Sequence, residues 1–370
     1  MKALQRVLAG LSLALAACAH VTPVQNLPPG EALTSDQRRE AIRRASVWSP
    51  TDIPTVDLKA GPAAKGSFAP DEWVTCAYKE QELTGKSAKF VCETSPGQSV
   101  KVKYGQRNAE VFGEVLATRL FWALGFPADR MYPVRVRCHG CPDDPKKSPE
   151  VNGNGAVAVF DPAAIERKLP GRPMETFPDS GWSFSELDDV GSGAGPKARV
   201  ERDALKLLAA FVQHTDSKAA NQRLLCPEGQ EVGKTGCHHP VLMISDLGLT
   251  FGRSGMWVTN MNKNSVSLRD WTQRPIWKDS GACVAQLSRA LSGTLDNPKI
   301  SEAGRAFLAD LLSQLSDEQI HDLFESARVD LRSGDPSSKP AKDAPNASVE
   351  EWVTAFKAKR AQIVDHRCPR

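Results

Sequence analysis

The chain has 370 residues, 41% hydrophobic and 25% charged, with a formal net charge of +3. That is enough for one large domain or two lobes, and the composition is that of an ordinary globular protein, not of a disordered or fibrous chain. No basic run or aromatic–basic stripe points to a nucleic-acid partner.

Residues 1–17 read as a targeting segment. Lys2 and Arg6 precede a short apolar stretch, and Leu15-Ala16-Ala17-Cys18 places small residues before a cysteine, the pattern of a lipoprotein signal with Cys18 as the lipidated residue. A plain secretory signal with an incidental cysteine is the competing reading. Residues 18–70, rich in Pro and polar residues, read as a tether carrying one short helix over Ser35–Ala45.

Period-two alternation then predicts strands over Trp73–Tyr78, Lys89–Glu93 and Ser99–Tyr104, with a turn at Ser95-Pro96-Gly97-Gln98. Ala109–Gly125 carries apolar residues at helical spacing along one stripe, and Gly125 is a natural stop. Strands follow over Tyr132–Cys138 and, buried, over Ala156–Phe160, with a short helix over Pro162–Lys168. A helix over Val200–Val212 leads into His214, Asp216, Lys218 and Asn221. A strand over Val241–Ile244 leads into Asp246-Leu247-Gly248. Residues 253–280 read as a long loop with Trp257, Trp271 and Trp277. Cys283–Val329 reads as helical throughout, 332–348 as a linker, and Val349–Val364 as a last amphipathic helix.

Besides Cys18 there are eight cysteines, an even number that in an exported chain reads as up to four disulfides. Local hairpins favour Cys76–Cys92, Cys138–Cys141 and Cys226–Cys237, leaving Cys283 with Cys368. Zinc is the alternative, since Cys138-His139-Gly140-Cys141 and Cys237-His238-His239 hold ligand types, but only one CxxC occurs.

His214-Thr215-Asp216-Ser217-Lys218-Ala219-Ala220-Asn221 matches each polar position of the kinase catalytic loop, H-R-D-L-K-x-x-N, and Asp246-Leu247-Gly248 resembles the Asp-Phe-Gly metal motif. Over about residues 73–330 the chain resembles the protein-kinase-like superfamily. The closer likeness is to its atypical branch, the phosphatidylinositol-kinase-like, HipA-like and secretory-pathway kinases. The resemblance implies an α+β, two-lobed protein-kinase-like fold with an antiparallel-sheet N-lobe (71–160) and a mainly helical C-lobe (161–331), with the last helix (349–370) packed on the C-lobe. It implies ATP and Mg2+ (or Mn2+) as cofactors. Lys103 would meet the α- and β-phosphates and pair with Glu114, with Lys101 and Glu110 as rivals one strand or helix repeat away. Asn221 and Asp246 would be metal ligands, Asp216 would orient and deprotonate a hydroxyl, and Lys218 would reach the γ-phosphate. The loop after Asp246 is where the family places acceptors, so its tryptophans are candidates for that surface; packing in the core is the competing reading.

The departures are specific. There is no G-x-G-x-x-G; Thr84-Gly85-Lys86-Ser87 lacks the earlier glycine of a phosphate loop; Thr215 stands where many kinases have Arg; no Ala-Pro-Glu follows Asp246. The sequence therefore supports a membrane-anchored extracytoplasmic kinase acting on a protein, lipid or small-molecule hydroxyl, with a non-catalytic scaffold lipoprotein as the alternative and nucleotidyl transfer left open. Ala19 after Cys18 resembles the Gram-negative sorting pattern for the outer membrane of the cell envelope.

Overall fold

Alternation over residues 72–104 closes a barrel. In the computed structural model, which describes residues 32–85, 87–146, 157–176, 180–191, 196–252, 265–332 and 347–369, strands β1 (Glu72–Lys79), β2 (Lys89–Ser95), β3 (Gln98–Tyr104), β4 (Arg130–His139) and β5 (Val157–Arg167) form one closed sheet. The strand order is β1-β2-β3-β5-β4. Inward residues such as Val74, Phe90, Val100, Val102, Tyr132, Val134, Val136 and Ile165 fill its interior. Contrary to expectation, the sheet is not wholly antiparallel, because β1 closes on β4 in parallel register, Glu72 opposite Val134. Closure leaves no barrel strand with an unpaired edge.

Strand β5 corrects two expectations. Pro162–Lys168 is not a helix: Ala163–Glu166 pair with β3 and Ala163–Arg167 with β4, so the backbone has two ladders to join, and local helix propensity yields to them. The strand thus runs across the expected lobe boundary at residue 160. Its first residues are not buried either, since Val157 and Val159 are 46% and 58% exposed on the outer face.

Helix α2 (Glu110–Ala123), reached after α1 (Ser35–Arg44) in the chain, packs against β3, β4 and β5. The expected stripe on α2 is instead a nearly continuous buried surface, with Glu114 and Arg119 buried among its apolar residues. The following elements are β6 (Arg172–Pro173), α3 (Pro196–Phe211), β7 (Gln222–Cys226), the hairpin of β8 (Glu231–Val232) and β9 (Gly236–Cys237), and β10 (Val241–Ile244). Then come α4 (Leu268–Thr272), β11 (Trp277–Asp279), β12 (Val284–Ala285), α5 (Glu302–Ser313), α6 (Asp317–Ser326) and α7 (Val349–Val364). Phe211, Phe251, Trp271, Phe324, Trp352 and Phe356 form one aromatic cluster, with Trp271 and Trp352 at 5.7 Å, so α7 is seated on α5 and α6 by its aromatic face. Trp271 is wholly buried there and does not line an acceptor surface. Trp277 donates to the carbonyl of Gln362 at 2.8 Å, and Trp257 lies outside the described residues.

The segment expected as a tether is, from residue 32 onward, part of this core. Ile42, Val47, Ile53 and Leu58 are buried. α1 starts at Ser35, as expected, and is capped by Thr34, whose side chain and Gln37 form a reciprocal cap. Trp48 Nε1, Ser49 N and Thr51 Oγ1 donate to the carbonyls of Leu124, Gly125 and Ala123 at 2.8, 2.9 and 2.5 Å, so this segment satisfies the orphan acceptors at the end of α2. Gly125 has φ of 83° and its missing Cβ would sit 2.0 Å from the Ser49 carbonyl, so only glycine permits the contact.

Residues 283–300 are not helical as expected. Their donors go elsewhere: Val284 and Ala285 pair with β11, and Ala290 N reaches the Thr215 carbonyl at 2.9 Å. The four expected disulfides are present, Cys76–Cys92, Cys138–Cys141, Cys226–Cys237 and Cys283–Cys368. They consume the thiolates that the zinc alternative needs. The signal segment, Cys18 and most of the linker lie outside the described residues. Among the described residues no helix is long and apolar enough to cross a membrane.

Candidate active site

The site is assembled from two sides, and each side is set by local backbone chemistry. On the first, β3 carries Lys103 to the barrel's inner end beside α2. The lysine is 2% exposed, and its Nζ donates to Glu114 Oε1 at 2.5 Å and Glu110 Oε2 at 2.6 Å. The two glutamates lie four apart on α2 and so present to the same side. Of the two rival lysines, Lys103 is the one paired with the α2 glutamates, and Lys101 pairs with Glu166. The rivalry between Glu110 and Glu114 does not resolve, because both hold the lysine.

The second side begins at the end of α3. Gln213 takes a left-handed conformation, φ 57°, and Gln213 N and His214 N return to the Ala210 and Ala209 carbonyls at 3.1 and 2.8 Å. This is the paired stop of a Schellman motif, and it turns the chain into the loop of Asp216. Lys218 Nζ donates to Asp216 Oδ2 at 2.9 Å. Asn221 Nδ2 donates to the Asp216 carbonyl at 2.7 Å, which presents the amide oxygen as the free acceptor end. The Asn221 carbonyl in turn accepts from Ser245 N, Ser245 Oγ and Asp246 N at 2.8, 3.0 and 3.2 Å. The two motifs are thus tied backbone to backbone. From behind, Thr294 Oγ1 donates to the Ser217 carbonyl at 2.5 Å while Thr294 N and Leu295 N donate to Ser217 Oγ.

Glycines bring the sides together. A Cβ on Gly113 would lie 2.7 Å from the Gly248 carbonyl, and one on Gly248 would lie 2.6 Å from Glu110 Cγ. Backbone of α2 and of Asp246-Leu247-Gly248 is in contact there, closer than any side chain allows.

Electrostatically the site is short of cations. Burial works against charge on Lys103, but Glu110, Glu114 and Asp246 outweigh it and hold the ammonium well above its ordinary range. Burial pushes the Glu114 carboxyl up to about 8, with Lys103 pulling against it and Asp246 and Glu110 adding to it. For Asp246 burial is again opposed and here overcome, by Lys103, the Gly248 N–H at 3.1 Å, Lys101 and Lys218, so its carboxyl stays well below the usual carboxylate range. Three carboxylates share one fully buried lysine, and Glu114 Oε2 has no hydrogen-bond partner. An ionised Asp246 and the oxygen of Asn221 are hard donors of the kind Mg2+ takes. The donor set fits such an ion.

The sequence-predicted residues Lys103, Glu114, Asp216, Lys218, Asn221 and Asp246 thus share one site, and Cys18 lies outside the described residues. Glu110 as co-partner, the glycine pair and the 290–295 brace were not anticipated. Only Glu110 left a signal, its spacing from Glu114.

Two outcomes follow. His214 is buried with neither ring nitrogen bonded, and burial lowers its pKa to about 4. The unfolded chain takes up this proton near pH 6.5 and the folded chain only near 4, so the stabilisation is complete above 6.5 and lost as pH falls through that window, about 3 kcal/mol in all. Denaturant midpoints measured between pH 4 and 7 should fall accordingly, and His214→Leu should flatten that part of the profile; an unchanged profile would refute the assignment. Gly113→Ala should cost about 1–3 kcal/mol in thermal or denaturant unfolding by forcing α2 off Gly248, and stability equal to wild type would show that the contact is dispensable.

No protein-family model matches the chain, and no curated protein matches it. Among solved structures, the chain is similar to the proinflammatory kinase CtkA of Helicobacter pylori, at 11% identity and TM-score 0.41 over 80% of this chain and 96% of that one. It is also similar to the Rio2 kinase of Chaetomium thermophilum in its ADP/Mg2+–phosphoaspartate complex, at 12% identity and TM-score 0.28 over 68% and 70% of the two chains. A third is HipA of the Shewanella oneidensis MR-1 toxin–antitoxin system, at 13% identity and TM-score 0.30 over 78% and 65%. Likenesses at this level leave the reading of the site to its own geometry.

Proposed function

We propose that the chain is a two-lobed, protein-kinase-like phosphotransferase, moving the γ-phosphoryl group of ATP to a hydroxyl acceptor. The observation that carries this is the convergence of a buried lysine, held by two helical glutamates, with an ionised Asp246 whose backbone is tied to Asn221 and through it to Asp216. Phosphoryl transfer asks for positioning and charge neutralisation, and these groups supply both.

Lys103, fixed by Glu110 and Glu114, would meet donor phosphate oxygens. Asp246 and Asn221 would hold Mg2+ (or Mn2+), which when bound neutralises charge on the phosphates. Asp216 would orient the acceptor hydroxyl and take its proton, and Lys218, 2.9 Å from it, would leave that carboxylate for the transferred group. The absence of a glycine-rich loop in the β1–β2 connection favours the second reading, a pseudokinase or scaffold that keeps the cleft without turnover. With Cys18 lipidated, either would act at the cell envelope, at the outer membrane by its Ala19.

Thermal shift with ATP and Mg2+ tests the cleft. Wild type should be stabilised only when both are present, and Asp246→Asn should lose the shift. Asp216→Asn should keep the shift and lose about 10²-fold or more in labelled-phosphate transfer. Equal transfer by wild type and both variants would sink the kinase reading; a Mg2+-dependent shift with no transfer by wild type would establish the scaffold. The anchor has its own readout: labelled palmitate should enter the wild-type chain and not Cys18→Ser, and equal labelling of the two would refute it.

A further inference from the structure

Next to the Lys103 cluster lies a cavity of about 590 Å3 between the barrel and the body below it. In a cleft that ends in a neutral nucleobase this region would be apolar. Here the described residues lining it include five cations, Lys79, Lys101, Arg167, Lys168 and Arg223, against one carboxylate, Glu166. Lys101 lies two residues from Lys103 on β3, and Arg223 lies two residues past Asn221 on β7. At about 3.3 Å per residue, Lys101 is about 7 Å from Lys103 along β3, and Arg223 is the second residue of the strand that directly follows Asn221.

Two of these cations make a neutral hydrogen bond each, Lys79 Nζ to Ser99 Oγ and Arg167 Nε to the Gly66 carbonyl, both at 2.9 Å. Lys101 and Lys168 share Glu166, and Lys168 also donates to Asp129 Oδ2 at 2.8 Å. Arg223 is the exception. It is 8% exposed, and among the described residues its guanidinium donates no hydrogen bond and joins no ion pair. The field of Glu175 reaches it, but no Glu175 oxygen comes within ion-pair distance, and Glu175 Oε2 accepts from Gly181 N at 2.7 Å. The backbone of Arg223 is fixed by pairing with Met243 and by the Trp182 indole on its carbonyl at 3.1 Å. A guanidinium on a cavity wall offers a planar fork of donors that matches an oxyanion. Leu83 and Val91 also line the cavity, and such walls weaken screening by water.

We propose that this cavity binds an oxyanion through Arg223, flanked by Lys101 and Lys168, so that a ligand reaching into it from the neighbouring Lys103 site is anionic at both ends. This rests on the reading of Lys103, Asn221 and Asp246 as the metal–phosphate end. The ligand class is a phosphate donor with a second anionic terminus: a linear polyphosphate, or a nucleotide carrying a further phosphate on its ribose. ATP itself leaves Arg223 unanswered.

Calorimetric titration of the full chain with Mg2+ separates these possibilities, using ATP, ATP with an added 3′-phosphate, and a linear polyphosphate longer than the triphosphate. At least one doubly anionic probe should bind about tenfold or more tighter than ATP. Which one does identifies the source of the phosphate. Arg223→Gln should remove that advantage while leaving the ATP affinity within about twofold, and Arg223→Lys should restore part of it. Asp246→Asn should weaken every probe. If wild type binds neither doubly anionic probe more tightly than ATP, the proposal is overturned, whatever the folding of the variants. It is also overturned if the advantage survives in a folded Arg223→Gln. ATP binding that depends on Asp246, without any such advantage, leaves the kinase reading standing and sinks only this one. Binding of every probe that ignores both Mg2+ and Asp246 sinks both.

Discussion

A lysine ammonium with almost no contact with water, Lys103, sets the terms for the surrounding structure. Its charge survives burial only because Glu110 and Glu114 approach it within hydrogen-bond distance and Asp246 adds its field. That places α2 under a tight positional constraint. The helix is held at its C-terminal end by donors from Trp48, Ser49 and Thr51, and along its length by Arg119, which reaches the carbonyls of Leu58 and Lys59 at 2.6 and 2.5 Å. Gln319 on α6 holds the same N-terminal segment through the carbonyls of Ile53 and Val56. The residues that precede the barrel in the chain are therefore part of what keeps the glutamates on the lysine.

The same constraint explains the glycines. Asp246 draws on the field of the same lysine, so its segment must come close to α2. Gly113 and Gly248 remove the side chains that would stand between them. On the far side, the Asp216 loop is held by hydrogen bonds to backbone atoms: the α3 stop, the Asn221 carbonyl under Ser245 and Asp246, and Thr294 and Leu295 against Ser217. Such an arrangement holds the acidic residues mainly through backbone; of their carboxylate oxygens, Asp216 Oδ2 accepts from Lys218 and Asp246 Oδ1 from Gly248 N.

Much of the site was legible in the chain. The offsets from His214 to Asn221, the acid after the Val241–Ile244 run and the alternation through Lys101 and Lys103 are local patterns, and they named the residues that meet. The cysteine pairings followed from hairpin proximity, with the last pair by remainder. Less legible was which of two equivalent positions faces the site. Period two makes Lys101 and Lys103 alike, and only the positions of Glu166 and α2 distinguish them.

What the sequence by itself determined is therefore the inventory: strand alternation in the barrel, the helical runs of α2, α3, α5, α6 and α7, and the polar residues carried on the turns between them. These depend on neighbours a few residues away. Only the tertiary structure decided that Ala163–Arg167 is a strand, that residues 283–300 brace a loop instead of coiling, that the expected tether caps α2, and that Arg223 faces a cavity without a partner. In each case the deciding term is a hydrogen-bond partner or a charge from a distant part of the chain, or the lack of one, and local propensities of a few tenths of a kcal/mol per residue do not outweigh it.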